Sequence, residues 1–324
     1  MNQPMPANHY RVCGLQLASA IPFPELRALP DAGGSAAADI EFTSSKIPAP
    51  LQRGALVMTT EQADGTPWLV CTRTDAGYRF DFPGYADFFA DRSGRRVTCT
   101  AHADTPPETV RHLFLDQVLP LLHNLRGGEA LHASAVRVGG GICAFTGKSG
   151  QGKSTLAAAF QQAGNAAVCD DCLVLHAEAG GVRAEAAYPG LRLWEDSRDT
   201  LFGDTAGGHS LVSHYSAKLR IPTQESPEGE PGLLPLRGVY SLRREEGSPL
   251  RAPALERLSM RDALMELIEY AFRLDLADRD MILRQMTLFE RVARAVPVRR
   301  LRLPDAMAVL PAARDLVLRD LDHD

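Results

Sequence analysis

Lysine is scarce in this chain of 324 residues. It stands only at Lys46, Lys148, Lys153 and Lys218, and every other fixed positive charge is an arginine. The net charge is a mild −5, which argues against a general nucleic-acid binder. The longest apolar runs fall well short of a bilayer span, so no membrane partner is expected. Met1 to Ala20 lacks a basic start followed by a long apolar stretch and does not read as a signal peptide, so the expected location is the cytoplasm. There is no N-K-x-D guanine-reading motif and no L-S-G-G-Q signature, which argues against a Ras-like GTPase and a transporter ATPase. The H-R-D and D-F-G pair of protein kinases is missing as well. Internal repeats are absent.

Cysteine is used sparingly and without pattern. The six are Cys13, Cys71, Cys99, Cys143, Cys169 and Cys172, and in a cytosolic chain they read as reduced, buried thiols. Cys169 and Cys172 make a C-x-x-C pair, yet no second pair stands nearby to complete a zinc site. The pair also falls in a strand pattern, where residues three apart face opposite ways. A metal or redox role is therefore discounted.

What is present suits a soluble globular protein of one large or two ordinary domains, with 45% apolar and 23% charged residues. Residues 1–125 read as mainly β. Tyr10 to Leu17, Ala38 to Phe42, Trp68 to Thr72, Tyr78 to Phe82 and Arg96 to Thr100 are strand candidates between Gly, Pro and Asp turns. Over Pro107 to Leu125 the apolar period becomes helical, with Pro120 as a point of kinking. The Arg126-Gly127-Gly128 turn opens a second domain, 126–324.

There, Ala130 to Val138 and Ile142 to Thr146 are expected to pair as a hairpin turned by Gly139-Gly140-Gly141. A helix is expected over Ser154 to Ala163, stopped by Gly164-Asn165, then a buried strand over Ala166 to Leu175 that carries Asp170-Asp171. Gly203 to Ser216 and Thr223 to Pro235 read as loops, and Leu236 to Leu242 as a strand. Ser259-x-x-Asp262 looks like a helix cap ahead of a periodic run. A helix over Asp280 to Arg294, a strand over Val296 to Leu303 and a helix over Asp305 to Arg319 close the chain.

The chemistry lies in Gly147-Lys148-Ser149-Gly150-Gln151-Gly152-Lys153-Ser154, followed by Thr155: the G-x-x-x-x-G-K-[ST] pattern between an apolar strand and a helix. Glycines let backbone N–H groups turn in around phosphates, and the helix N-terminus adds its positive end. Lys153 supplies a point charge for the β- and γ-phosphates, and the Ser154 hydroxyl suits Mg²⁺. A nucleoside triphosphate with Mg²⁺ is thus expected; the bland alternative is a glycine-rich turn without a ligand.

Asp170-Asp171 offers two roles, one orienting or deprotonating an incoming hydroxyl and the other reaching Mg²⁺, against the alternative that one of the two is structural. His132 opens the strand before the loop and is equally consistent with a core or a site histidine. Arg192 is a candidate phosphate clamp, with Glu195 or Asp196 as a further metal ligand. Against this stands an exposed turn whose Trp194 fills the core. Lys218 and Arg220 alternate on a short segment and either meet phosphate oxygens or form a solvated face.

Leu131-His132-Ala133-Ser134, the glycine turn, the loop and Asp170-Asp171 follow one another as in the HPr kinase/phosphorylase family, which the chain resembles in spacing over Ala130 to Leu175. Tyr10 to Leu15, Leu131 to Val136 and Pro189 to Trp194 resemble the HPr-kinase-related proteins found with lasso-peptide clusters. The resemblance implies an α/β (α+β) fold with a mixed-sheet domain like that of phosphoenolpyruvate carboxykinase, beside a smaller β-rich domain for substrate recognition or assembly. It implies ATP and Mg²⁺ as cofactors and a peptide or protein serine as acceptor. It further implies Asp170 as the base, Asp171 and Ser154 at Mg²⁺, His132 near the phosphate, and a homo-oligomer. Gly190 to Asp196 departs from the family's glycine-rich stretch, so neither HPr as acceptor nor the reverse reaction is carried over. The expectation is an ATP-dependent serine kinase; a small-molecule kinase and a nucleotide-switched assembly protein are the alternatives.

Overall fold

The computed structural model describes residues 8–29, 37–47, 53–62, 64–186, 188, 190–202, 211–213, 216–221, 232–244 and 250–323. The chain divides into two compact units, one of residues up to Gly128 together with Phe272–Arg284, the other of Glu129–Ala271 and Gln285–Asp324. Among the described residues no helix is long and apolar enough to cross a membrane.

The first unit is a single mixed sheet with a helical cover. Its strands are β1 (Asn8–Val12), β2 (Leu15–Ser19), β3 (Ile40–Ser44), β4 (Ala55–Glu61), β5 (Pro67–Arg73), β6 (Gly77–Phe82), β7 (Ala86–Asp91) and β8 (Arg96–Ala101). They lie in the order β1-β2-β3-β8-β7-β6-β5-β4. Among the described strands of this sheet, only the pairings of β3 with β2 and with β8 are parallel. The alternation expected over Tyr10 to Leu17 is a hairpin, because the chain reverses at Cys13-Gly14 with φ of 50° and 72°.

Two strands escaped the sequence reading. β4 is an exposed edge without alternation, and A-D-F-F-A-D in β7 shows its period only once Ala86, Phe88 and Ala90 are seen to be buried. The helical stretch is α1 (Pro107–Leu113), a π turn (Phe114–Val118) and α2 (Leu119–Leu125). The break precedes Pro120, which sits in the first turn of α2, where its missing N–H removes no helical bond. Phe114 from the π turn packs on Phe42 with ring centroids 4.6 Å apart.

The segment Phe272–Arg284 belongs to this unit through buried polar contacts. Asp275, with no exposed side-chain surface, takes the Arg73 Nη1 donor at 2.7 Å and the Tyr78 hydroxyl at 3.2 Å. The Leu274 N–H donates to Asn124 Oδ1 at 3.1 Å. Nothing in the sequence around the expected 125/126 boundary announces this return.

The second unit is built on nine strands. In chain order it runs β9 (Glu129–Leu131), β10 (Ser134–Val138), β11 (Gly141–Thr146), α3 (Lys153–Gln162), β12 (Ala167–Cys169), β13 (Leu173–Glu178), β14 (Gly181–Ala186), β15 (Leu191–Leu193), α4 (Glu195–Phe202), β16 (Leu211–Ser213) and β17 (Ser216–Ile221). Then come β18 (Leu234–Arg244), β19 (Ala254–Arg257), α5 (Met260–Glu269), α6 (Arg279–Ala295, which opens in the first unit), β20 (Val298–Leu303) and α7 (Leu310–His323). The main sheet has the order β12-β10-β11-β18-β14-β13-β9, with β20 also on β18 and β19 on β20; β15, β17 and β16 form a small separate sheet. The architecture is mixed α+β.

Period-two alternation assigns the two faces. Val136, Cys143, Phe145, Tyr240 and Leu301 pack with α3 and α7 on one side. Ala135, Ile142, Ala144, Val239 and Val298 pack with α5 and α6 on the other. The expected cap is present: Ser259 Oγ accepts the Asp262 N–H at 3.2 Å at the start of α5.

Two expected strands are broken. Ala130 to Val138 splits into β9 and β10 because the His132 N–H leaves the ladder to bond Tyr270 O at 2.7 Å, just past the end of α5. Ala166 to Leu175 splits into β12 and β13, on different parts of the sheet, with Asp170, Asp171 and Cys172 in the break.

Candidate functional site

β11 and β18 are parallel, and β10 is antiparallel to both β11 and β12. The carboxyl ends of β11, β12 and β18 therefore open on one edge of the sheet, together with the amino end of β10. That edge is where open α/β sheets hold ligands. β11 ends in the stretch Gly147–Gly152, β12 in Asp170-Asp171, β18 in Arg243-Arg244, and β10 is entered from His132.

The loop from Gly147 to Gly152 joins β11 to α3. Its tip, Lys148 to Gly150, is exposed, while Gly147 is buried. Gly147, Gly150 and Gly152 have φ of 145°, 83° and 92°, which side-chain-bearing residues rarely adopt. At Gly147 space is also short, since a methyl group there would stand 3.1 Å from the Leu242 carbonyl oxygen. Lys153 is buried and donates from Nζ to Gly147 O at 2.8 Å, drawing the two ends of the loop together. Gln151 accepts the Arg244 backbone N–H through its side-chain oxygen. Ser154 is half-buried and Thr155 buried in the first turn of α3. The N-terminus of that ten-residue helix presents its positive end to the loop.

The aspartates differ sharply. Asp170 is buried, and its oxygens are engaged from within: Oδ1 takes the Ser134 hydroxyl at 2.5 Å and Oδ2 the Arg192 N–H at 2.7 Å. It ties together β10, the end of β12 and β15. Each oxygen thus already accepts one internal hydrogen bond, and the carboxylate is shielded from solvent. Asp171 keeps 20% of its side-chain surface exposed, with Oδ1 3.8 Å from His132 Nε2 and Oδ2 paired with Arg192 Nη1. Both aspartates lie past the end of β12 at Cys169, so strand alternation does not force them to opposite faces.

Arg192 is not on an exposed turn. It is buried in β15, its guanidinium bonded to Asp171 and the Tyr188 hydroxyl and lying 5.5 Å from the Tyr188 ring centroid. Trp194 stays half-exposed rather than filling the core. Glu195, expected as a metal ligand, opens α4 with its side chain 71% exposed and reaches Arg198 at 3.5 Å. Arg220 faces Arg192 across the β15–β17 pairing and Lys218 lies two residues earlier in β17; their side chains lie outside the described residues, as does most of Gly203 to Ser216.

All six cysteines are buried and free. Burial pushes the Cys169 thiol well above its ordinary range, with Cys172 and the two aspartates adding to the shift. Among the described residues no group of three or more His, Cys, Asp and Glu is arranged to hold a metal.

Sequence reasoning did not single out Ser134, Tyr188, Arg244 or Asp305. Arg244 sits 3.3 Å from Asp305 beside the loop. Its only sequence signal is a basic pair closing a strand, and only the parallel pairing with β11 gives that pair a place at the loop.

No family model and no curated protein matches the chain. Among solved structures, that of the Hpr(Ser) kinase/phosphatase from Coxiella burnetii is similar over 60% of this chain and 97% of that chain, at 15% identity and a TM-score of 0.33. At that score the overlap is loose, and the fold stated above rests on this chain's own topology.

Proposed function

We propose that the protein is a Mg²⁺- and ATP-dependent kinase that transfers the γ-phosphate to a hydroxyl, with a serine of a peptide or protein as the acceptor. The observation that carries this reading is the meeting of a glycine loop, a buried lysine and an accessible carboxylate on one sheet edge. A nucleotide-binding loop alone would serve a switch as well; an aspartate with a histidine and an arginine beside it supplies the acceptor side of a transfer.

The phosphate chain is held by the N–H groups of Gly147–Ser154 and by Lys153, which turns from Gly147 O to the phosphate oxygens. The residues fit Mg²⁺ in its usual mode, since it needs only one or two protein ligands besides phosphates and water, and here no protein cage is present among the described residues. Ser154 would hold it, and the ion would supply neutralisation of phosphate charge. Asp171, rather than Asp170, orients the acceptor hydroxyl and takes its proton, because it is the exposed member of the pair. His132 and Arg192 keep its carboxylate in place. Asp170 is a positioning residue that fixes β10 and β15. The new O–P bond forms as the bond to the β–γ bridging oxygen breaks, leaving ADP.

The test is intact-mass analysis of a serine-containing peptide encoded beside the gene, after incubation with ATP and Mg²⁺, with wild type and Asp171→Asn in parallel. One phosphate on serine with wild type, and none with the variant, is the expected result. ATP consumed with no phosphate on any acceptor would sink the kinase reading.

A further inference from the structure

β18 outruns β11. Thr146, the last residue of β11, lies opposite Ser241, and β18 continues through Leu242 and Arg243 to Arg244. The loop rests on this overhang, through Gly147 against the Leu242 carbonyl and through Gln151 on the Arg244 N–H. The Arg244 guanidinium reaches the far end of the loop. A methyl group at Gly152 would lie 3.5 Å from Nη2 and 3.8 Å from Cζ.

The donors of Arg244 are unequally used. Nη1 is 3.3 Å from Asp305 Oδ1. Nε and Nη2, which share one edge of the guanidinium, are shielded from solvent and have no hydrogen-bond partner among the described residues. Arginine cannot escape this by losing its proton, and shielded donors without acceptors are costly. Such an edge matches the paired oxygens of a phosphate. The guanidinium lies against Gly152, at the end of the loop that Lys153 closes, so an anion held by that loop would meet this edge.

We propose that Arg244 is a ligand of the nucleotide's phosphate chain. Its Nε–Nη2 edge takes phosphate oxygens, while Asp305 and Gln151 hold the side chain and backbone in place. The proposal rests on the nucleotide reading above and adds a cation from outside the motif.

The experiment compares wild type, Arg244→Gln, Arg244→Lys and Lys153→Ala by calorimetric titration with Mg²⁺-ATP and with inorganic tripolyphosphate, alongside the melting temperature of each free protein. Arg244→Gln should weaken both ligands by the same factor, roughly ten- to hundredfold for a charge-assisted contact, and should lower the salt dependence of binding. Arg244→Lys should restore part of the loss. The free variant should melt no lower than wild type, because a strained cation has been removed. Unchanged affinity in Arg244→Gln overturns the proposal. So does a loss for ATP that spares tripolyphosphate, which would place Arg244 at the base or sugar. Should Arg244→Gln fail to fold, Arg244→Lys decides, since a merely structural salt bridge to Asp305 would tolerate lysine without loss of tripolyphosphate affinity. Wild type that binds neither ligand would instead overturn the nucleotide reading itself, and this proposal with it.

Discussion

The glycine loop takes its shape almost entirely from one continuous stretch, Gly147 to Ser154, closed on itself by Lys153 reaching back to Gly147. The acidic corner around Asp170 and Asp171 draws on His132, Ser134, Tyr188 and Arg192, which come from two other parts of the chain. The first is a local device, set by glycine conformations and a helix terminus. The second exists only once β10, β12 and β15 have come together. A local device keeps its form if the sheet shifts slightly, whereas a corner held by long-range hydrogen bonds changes with every partner.

The strongest way to break this comparison is at Asp171. If Asp171 acts on the acceptor and Asp170 only builds the corner, Asp171→Asn should lower turnover by about 10²- to 10⁴-fold, the usual worth of a positioned proton acceptor. It should leave ATP affinity near wild type and lower the melting temperature, because the buried Arg192 guanidinium loses its charged partner. Steady-state kinetics with a calorimetric scan checks both. A variant that keeps its turnover would move the acceptor role away from Asp171.

Asp170→Ala sharpens the contrast from the other side. It removes the acceptor for the buried Ser134 hydroxyl and for the Arg192 N–H. Each buried donor left unpaired costs about 1–3 kcal/mol, so a loss near 3 kcal/mol is expected. Denaturant unfolding measures it. A loss under about 1 kcal/mol would mean that water replaces the carboxylate and that the corner is less closed than it stands here.

These two positions also mark how far the sequence could be read. The loop's setting was legible because its shape depends on consecutive residues, and strand, loop and helix appear in the expected order. The presence of Asp170-Asp171 was legible, but their unequal burial was not. It depends on where β12 ends and on the Arg192 N–H of β15 reaching Asp170. Period-two reasoning ran one strand through both aspartates, since apolar residues flank them on either side. Arg192 looked free because its partner Asp171 is 21 positions away. Glu195, a candidate metal ligand with Asp196 as the alternative, opens an exposed helix beside Arg198.

The loop has one long-range dependence of its own, and Gly147→Ala tests it. The added methyl would meet the Leu242 carbonyl at 3.1 Å, in a backbone conformation of φ 145° that alanine disfavours. The expected cost is about 1–3 kcal/mol of stability, with nucleotide affinity falling alongside. Gly150→Ala provides the comparison, since φ is 83° there but nothing lies within 4 Å of the new methyl. It should cost about 1 kcal/mol, from backbone strain alone. Equal losses at the two positions would show that β18 does not constrain the loop.

The smallest expected effect is chemical silence. Cys169 and Cys172 bracket the two aspartates, and both are buried and free. Burial raises the Cys169 thiol well above its ordinary range, with Cys172 and the aspartates pushing in the same direction. Burial likewise pushes Cys71 up to about 12, with Asp275 adding to it. The thiolate is the reactive form, so at neutral pH the native protein should give no prompt reaction with an aromatic disulfide reagent, and all six thiols should react once it is unfolded. Prompt labelling confined to Cys169 or Cys172 would mean that the corner opens in solution faster than the loop does. The contrast between a local loop and a locked corner would then be inverted, because the segment joined by long-range bonds would be the mobile one.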